Sequence, residues 1–433
     1  MSMVVKHNID ALRVINLLDQ NNSMLQKNLG KVASGMKINS AQDDSAPWAI
    51  SERMRMRIRA LEQDNQNIEN DSALMKTAEG AVASTIELLK ALKEKAINSA
   101  NDSNTDEDRI TIQKEVDQFI DQIDDNALVQ FNGKYLIDGS KNNVVSSSKT
   151  ILLNQSLATD TQVGSGLTAL NNRVGDALEI QSTDKYTVSW VANGVTSTTS
   201  GTVGTEVALQ SLLSFAGTFT QQTTADASAI GTDKFNMELY TPDKSSGIAL
   251  VASTAGVTQQ ISGFTISITD SDGNVKKAAN AALDQFKQYQ RAENETGDKA
   301  LTFHSGAEAN VAIKVGLGDM RAEALGLKGP NNERLSVATK ENANAAINVI
   351  ENSLTKALNQ QIDIGSVLSR LDYTKSNIIT ARDNDQESES VIRDADMAKE
   401  MTNYTKSNVL LQTAQAMLAQ ANQNSSAVLS LLR

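Results

Sequence analysis

The chain has 433 residues, of which 40% are hydrophobic and only 4% aromatic, with three prolines, two histidines, no cysteine and a net charge of −12. The length allows two to four domains. The missing cysteines exclude disulfides, thiolate metal sites and cysteine nucleophiles, and the acidic balance argues against nucleic acid, whose phosphates need a basic surface.

Residues 1 to about 140 read as helix, which also accounts for the scarcity of proline. Ile9, Leu12, Ile15 and Leu18 recur at steps of three, and Leu25, Leu29, Val32 and Met36 continue at three or four, which predicts one helical stripe. Gly35 and Pro47 punctuate it. A second segment carries Leu61, Ile68, Met75 and Val82 at seven-residue spacing and runs on to Ile86 and Leu89. A third has Ile112, Val116, Phe119 and Ile123, opened by Thr105 and Asp108 as a capping box. "QFNGKYLIDGS" then supplies two glycine turns. The first residues lack the basic patch and apolar core of a secretory signal. No stretch reaches the ~18 apolar residues of a membrane span. Export from the cell would need another route.

The middle, 175–299, is rich in Thr, Ser and Gly and alternates at period two. "KYTVSWVANGVTST" puts Tyr186, Val188 and Trp190 on one face before an Asn193-Gly194 hairpin turn. "FTISITDSDGNVK" repeats the idea with Asp272-Gly273, and "TEVALQSLLSFAG" predicts a short helix. The last zone is helical again. Ile347, Ile350, Leu354, Ala357, Ile364, Leu368, Leu371 and Ile378 fit a heptad seam, with Gln361 and Lys375 as polar seam positions. A helix over 340–380 would be roughly 60 Å long. A polar "RDNDQESES" follows, then a final helix through Met397, Met401, Tyr404, Leu411, Leu418, Ala421, Val428 and Leu432.

These elements predict a mainly α fold: a long antiparallel helical hairpin or coiled-coil rod made by the N- and C-terminal regions, a small β-hairpin region, and an inserted β-rich (α+β) outer domain. The expected parts are 1–44 and 394–433 as terminal helices, 45–174 and 300–393 as rod, and 175–299 as the outer domain. The economical arrangement pairs the first helix with the last. Two thin terminal helices bury too little surface to stand alone. Neighbouring chains would have to cover the remaining stripe, and a heterologous contact repeated by a screw operation gives an open filament. The residues expected to carry that contact are Ile9, Leu12, Ile15, Leu18, Leu25, Leu29, Val32, Met397, Met401, Leu411, Leu418, Val428, Leu429 and Leu432.

No catalytic, cofactor or metal constellation is expected. His7 and His304 are far apart, and no His-Glu-x-x-His motif exists. "TDSDGN" (269–274) resembles half a calcium loop but lacks the downstream glutamate, so an Asp-Gly turn is the plainer reading. The glycines of "GLGDMRAEALGLKG" do not end in the Gly-Lys-Ser/Thr of a phosphate loop. "GVTSTTSGTVGT" (194–205) reads first as solvated strand and loop.

Two stretches carry a family resemblance. "LQKNLGKVASGMKINSAQDDSAPWAISERMRMRIRALEQDNQNIENDSALMKTAEGA" (25–81) resembles the N-terminal signature of bacterial flagellins, and "MLAQANQNSSAVLSLLR" (417–433) their C-terminal one. The resemblance implies a filament subunit of the extracellular bacterial flagellum. Such a subunit is exported unfolded by the flagellar type III system, bound by an export chaperone at its C-terminal helix, and assembled into a homopolymer beside cap and hook–filament junction proteins. It implies an inner-tube/rod junction at Asp43, Asp44, Pro47 and Trp48, and O-linked glycans as a second reading of the Thr/Ser-rich outer segment. It also aligns residues 88–101 with the patch recognised by the Toll-like flagellin receptor. That patch commonly carries an arginine and a leucine where this chain has Ala91 and Lys95, while Glu115 matches the acidic position. Weak receptor activation is therefore expected. The alternatives are a hook–filament junction protein with the same helical ends, and an enzyme displayed in 175–299.

Overall fold

The computed structural model describes residues 8–214, 219–224 and 228–431. The chain opens with α1 (Ile9–Ser34), α2 (Ser45–Ser99) and α3 (Asp106–Ala127), followed by the small hairpin β1 (Gln130–Phe131) and β2 (Lys134–Tyr135). The inserted region runs through β3 (Ile151–Asn154), β4 (Lys185–Ala192), β5 (Val195–Thr202), α4 (Leu209–Leu213), β6 (Phe219–Thr224), β7 (Ala229–Thr232) and β8 (Glu238–Tyr240). It continues with β9 (Gly247–Ala252), β10 (Ile261–Thr269), α5 (Lys277–Leu283) and β11 (Lys287–Gln290). The pair β12 (Leu301–His304) and β13 (Ala312–Val315) and the short α6 (Ala322–Leu325) lead to α7 (Lys340–Arg393) and α8 (Met397–Leu431). The fold is mainly α with an inserted β-rich region. It forms two compact units: one takes residues up to Asn67, Ser305–Val311 and the residues from Tyr373, and the other takes Ile68–His304 and Ala312–Asp372.

Local chemistry sets the helix ends. The Asn8 side chain accepts the Ala11 N–H at 2.9 Å to open α1, and Gly35, at φ 72°, closes it by donating to the Lys31 carbonyl. Pro47 falls in the first turn of α2, where a missing N–H leaves nothing unpaired. Thr105 and Asp108 form the capping box of α3. The seven-residue apolar repeat of α2 is buried from Leu61 to Leu89. On α7, Ile350, Ala357, Ile364, Leu371 and Ile378 are buried. The buried polar residues of this face are Ser353 and Gln360, whereas Gln361 and Lys375 are only half-buried beside it. "RDNDQESES" is helical rather than a break, so α7 extends to Arg393. Its residues are tolerable helix formers, and Asp385 pairs with Arg57 of α2 at 3.1 Å.

In the inserted region a four-stranded antiparallel sheet has the order β11-β3-β9-β6, and a three-stranded one the order β10-β4-β5. The main core contains Leu152, Val188, Leu250, Phe264, Ile266 and Phe286, with Tyr186 and Trp190 against it. Ile151 and Leu153 point from the other face of β3 into a smaller cluster with Ile230 and Val251. Strand β3 therefore belongs to the inserted region, which begins before residue 175. Buried on both faces, "ILLN" shows no alternation to reveal it. The Asn193-Gly194 turn joins β4 and β5 with both residues left-handed, at φ 55° and 76°. After Asp272-Gly273 there is no second strand, only the single bridge Thr269–Val275 and then α5.

Two close approaches attach these strands to their surroundings in the same unit. β10 bulges at Ser262, and Gly263 lies so near α7 that a Cβ there would sit 2.7 Å from Val349 Cγ2. Beside it, Asn348 donates to the Phe264 carbonyl at 3.3 Å and Asn352 to the Ser262 carbonyl at 2.9 Å. At the β4–β5 tip, a Cβ on Gly329 would meet the Asn193 carbonyl oxygen at 1.9 Å.

Candidate assembly interface on the terminal helices

α1 and α8 pack antiparallel. Three asparagines fix their register: Asn8 donates to the Ala421 carbonyl at 3.3 Å, Asn21 to the Leu410 carbonyl at 3.4 Å, and Asn28 to Ser407 Oγ at 3.0 Å. The most covered positions of α1 are Ala11, Val14, Leu18, Asn21, Leu25, Asn28 and Val32, an alternation of three and four residues. The matching positions of α8 are Tyr404, Ser407, Leu411, Ala414, Leu418 and Ala421. Of these, Ala11, Val14, Ser407 and Ala414 are buried.

This corrects the stripe expected from steps of three. Leu18, Leu25, Val32, Leu411 and Leu418 lie half-buried in the seam. Ile9 (52%), Leu12 (54%), Ile15 (41%), Leu29 (50%), Met397 (43%) and Met401 (45%) are exposed. Met401, Val409 and Leu410 line a shallow apolar depression on α8. The seam combines small and polar side chains with half-buried leucines and Val32, while a second set of large apolar side chains faces away from it. Val428, Leu429 and Leu432 lie outside the residues whose side chains are described, as does His7.

Between α1 and α2 the chain crosses the α7–α8 connection. Lys37 N–H donates to the Arg393 carbonyl at 2.8 Å and Ala395 N–H to the Gly35 carbonyl at 2.9 Å, around the bridge Met36–Asp394. Arg393, nearly buried, pairs with Glu52 at 2.7 Å. That hydrogen bond holds the Glu52 carboxyl below its ordinary range against the opposing effect of burial, and Arg55 adds to it. Asp43 accepts the N–H groups of Asn39 at 3.1 Å and Ser40 at 3.2 Å. Burial raises the Asp43 carboxyl, but these bonds outweigh it and keep it low. The Asp44 carbonyl accepts the Trp48 N–H at 3.2 Å, and Pro47 and Trp48 are half-buried. Sequence reasoning missed Glu52 and Arg393, whose pairing spans most of the chain.

Residues 5–142 match the family model for the bacterial flagellin N-terminal helical region, and residues 347–432 match that for the C-terminal helical region. A flagellin of Clostridium tyrobutyricum is 31% identical over 97% of this chain and 99% of that protein. The chain belongs to the bacterial flagellin family. A flagellin of Bacillus subtilis (strain 168) is 27% identical over 100% of this chain and 100% of that protein. Among solved structures, the flagellar hook associated protein-3 of Legionella pneumophila aligns at 16% identity over 78% of this chain and 97% of that one, with a TM-score of 0.34. Flagellin is a structural protein of the extracellular flagellar filament and not an enzyme.

The positions aligned with the flagellin receptor patch lie on α2 and α3. Ala91 is half-buried, and Lys95 forms an ion pair with Glu115. The acidic position is thus engaged by a lysine of its own chain. Elsewhere, Asp270 spends its carboxylate on its own turn, accepting the N–H of Asp272 at 2.9 Å and of Asn274 at 2.8 Å. His304 is exposed at the end of β12. Among the described residues no group of three or more His, Asp or Glu side chains is placed to hold a metal, and no helix is long and apolar enough to cross a membrane.

Proposed function

We propose that this chain polymerises into the bacterial flagellar filament and that the outward faces of α1 and α8 are contacts between subunits. The observation that carries this is that the terminal helices hold more large apolar side chains than their mutual seam covers: Leu18, Leu25, Val32, Leu411 and Leu418 share the seam with small and polar residues, while Ile9, Leu12, Ile15, Leu29, Met397 and Met401 stay in solvent. Each of these side chains leaves about half of its ~1.5–3 kcal/mol of burial unrealised in the single subunit. Residues 1–44 and 394–433 form the inner shell in this reading, α2, α3 and α7 the next, and the inserted region from β3 onward faces outward. Electron microscopy of seeded, concentrated protein tests it. The full chain gives long uniform filaments and a chain ending at Ala421 gives none. Failure of the full chain to elongate seeds favours a hook–filament junction role.

Finer features belong to the same proposal. The chain passes unfolded through the type III export channel, a chaperone covers α8 beforehand, and cap and junction proteins flank the finished polymer. Strand β5, at the edge of its sheet with alternate Thr and Ser side chains exposed, is the place for O-linked glycans. Intact mass matching the bare sequence refutes that modification. Receptor activation is weak because Lys95 occupies Glu115 and Ala91 supplies no guanidinium.

A further inference from the structure

The unit that contains the inserted sheets holds a cavity of about 1250 Å³ bounded by β11, the segment 316–324 and α7. α7 lines it at steps of four with Asn348, Asn352, Lys356 and Gln360, which share one helical face. The first two are occupied by β10. The other two are not. Lys356 Nζ donates to the Ala324 carbonyl at 3.1 Å, which leaves two ammonium hydrogens. Gln360, 8% exposed, accepts the Gly318 N–H at 2.9 Å through Oε1, while its Nε2 has no partner.

Arg291, just after β11, arrives at the same place. It donates to the Leu325 carbonyl and, at 3.4 Å, to the Asn352 carbonyl, and its Nε is buried without a partner. The successive carbonyls of Ala324 and Leu325 therefore draw an ammonium and a guanidinium together. Neither cation forms an ion pair among the described residues. Burial pulls Lys356 down to about 8 and Arg291 beside it adds to the effect, against the opposing pull of Glu293 and Asp319.

Most carboxylates on the wall are engaged elsewhere. Asp319 is held by Arg321, Glu351 by Lys93, and Asp138 and Asp233 by N–H groups of their own turns. Burial raises Asp284 to about 7. Glu293 and Asp363 remain as the uncommitted acids.

We propose that Arg291, Lys356 and Gln360 form a binding site for a small oxyanion, a carboxylate or a phosphate. All three present donors, two are cationic, and none offers a free acceptor toward the cavity. The two cations are half-buried and make no direct ion pair, Glu293 acting on both only from a distance, and an oxyanion that accepts from both would neutralise them more fully. Gln290 Oε1 and Thr296 Oγ1, buried and unpartnered on the same wall, are placed to accept hydroxyl groups of a larger ligand. The site does not depend on how subunits assemble.

The test is calorimetric titration of the full-length subunit with inorganic phosphate and, separately, acetate at neutral pH. One-to-one saturable binding of either is expected, and the arm that saturates identifies the preferred group. Lys356→Met should weaken it about tenfold or more, the loss of a charge-assisted hydrogen bond. Gln360→Glu should abolish it while preserving the fold, because the new carboxylate sits one helical turn from Lys356 and supplies the anion from within. Exposed Lys90→Met should change nothing. If neither anion binds saturably below about 10 mM, or if both site variants bind like the parent, the cations merely cap α6 and the proposal is overturned.

Discussion

Truncating Leu12 and Ile15 to alanine should separate assembly from folding. Leu12 is 54% exposed and Ile15 41% exposed in the subunit. Full burial of such a side chain is worth about 1.5–3 kcal/mol, so covering the exposed half of each contributes roughly 0.7–1.5 kcal/mol. The double variant should therefore weaken each subunit contact by about 1.5–3 kcal/mol, a roughly 10- to 150-fold rise in critical concentration at 1.4 kcal/mol per decade. Sedimentation of seeded polymer measures the protein left in solution, and circular dichroism checks that the free subunit keeps its helix content. Neither residue occupies the α1–α8 seam, so the dichroism should not change. A critical concentration within about twofold of the parent would mean that these faces are not buried between subunits, and the reasoning would fail.

Three further outcomes are expected. Gly329→Ala places a Cβ 1.9 Å from the Asn193 carbonyl oxygen, backbone against backbone, so the β4–β5 tip must lift away; melting should show a loss of about 1–3 kcal/mol, and an unchanged melt would show that the tip moves freely. Because Arg393 lowers the folded-state pKa of Glu52, their link is fully present above the ordinary glutamate range near ~4.3 and is lost as pH falls through the lower folded value. Arg393→Met should therefore narrow the difference in melting temperature between about pH 6 and pH 3, and an identical difference in parent and variant refutes the linkage. Replacing Ala91 with arginine and Lys95 with leucine together frees Glu115 and should raise potency in receptor-reporter cells by about tenfold or more, whereas unchanged potency would remove the ion pair from the explanation.

What the sequence discloses depends on how the chain buries its residues. The α2 and α7 faces are legible because large apolar side chains repeat at seven and end up enclosed, as with Met75, Val82 and Ile364. The β4–β5 hairpin is legible because Asn-Gly suits two consecutive left-handed residues. The α1–α8 seam is legible only in part, since hydropathy picks out Leu18, Leu25 and Val32, which lie in it, along with Ile9, Leu12 and Ile15, which do not, and passes over Ala11, Asn21 and Asn28. The exposed set is the one that the proposed contacts between subunits would cover. Strand β3 hides for the opposite reason, being enclosed on both sides. The cavity beneath α6 joins Arg291 to Lys356, and no local motif announces a meeting of side chains that far apart in sequence.

The attachment of β10 to α7 has a mechanical consequence. Drag on the inserted sheets need not be carried by the covalent connections at either end of that region. Two amide-to-carbonyl bonds and the bare backbone of Gly263 deliver it to one stretch of α7, residues 345–352. A rotating polymer of these subunits would then feel viscous load as torque on its helices rather than as flapping of its outer parts.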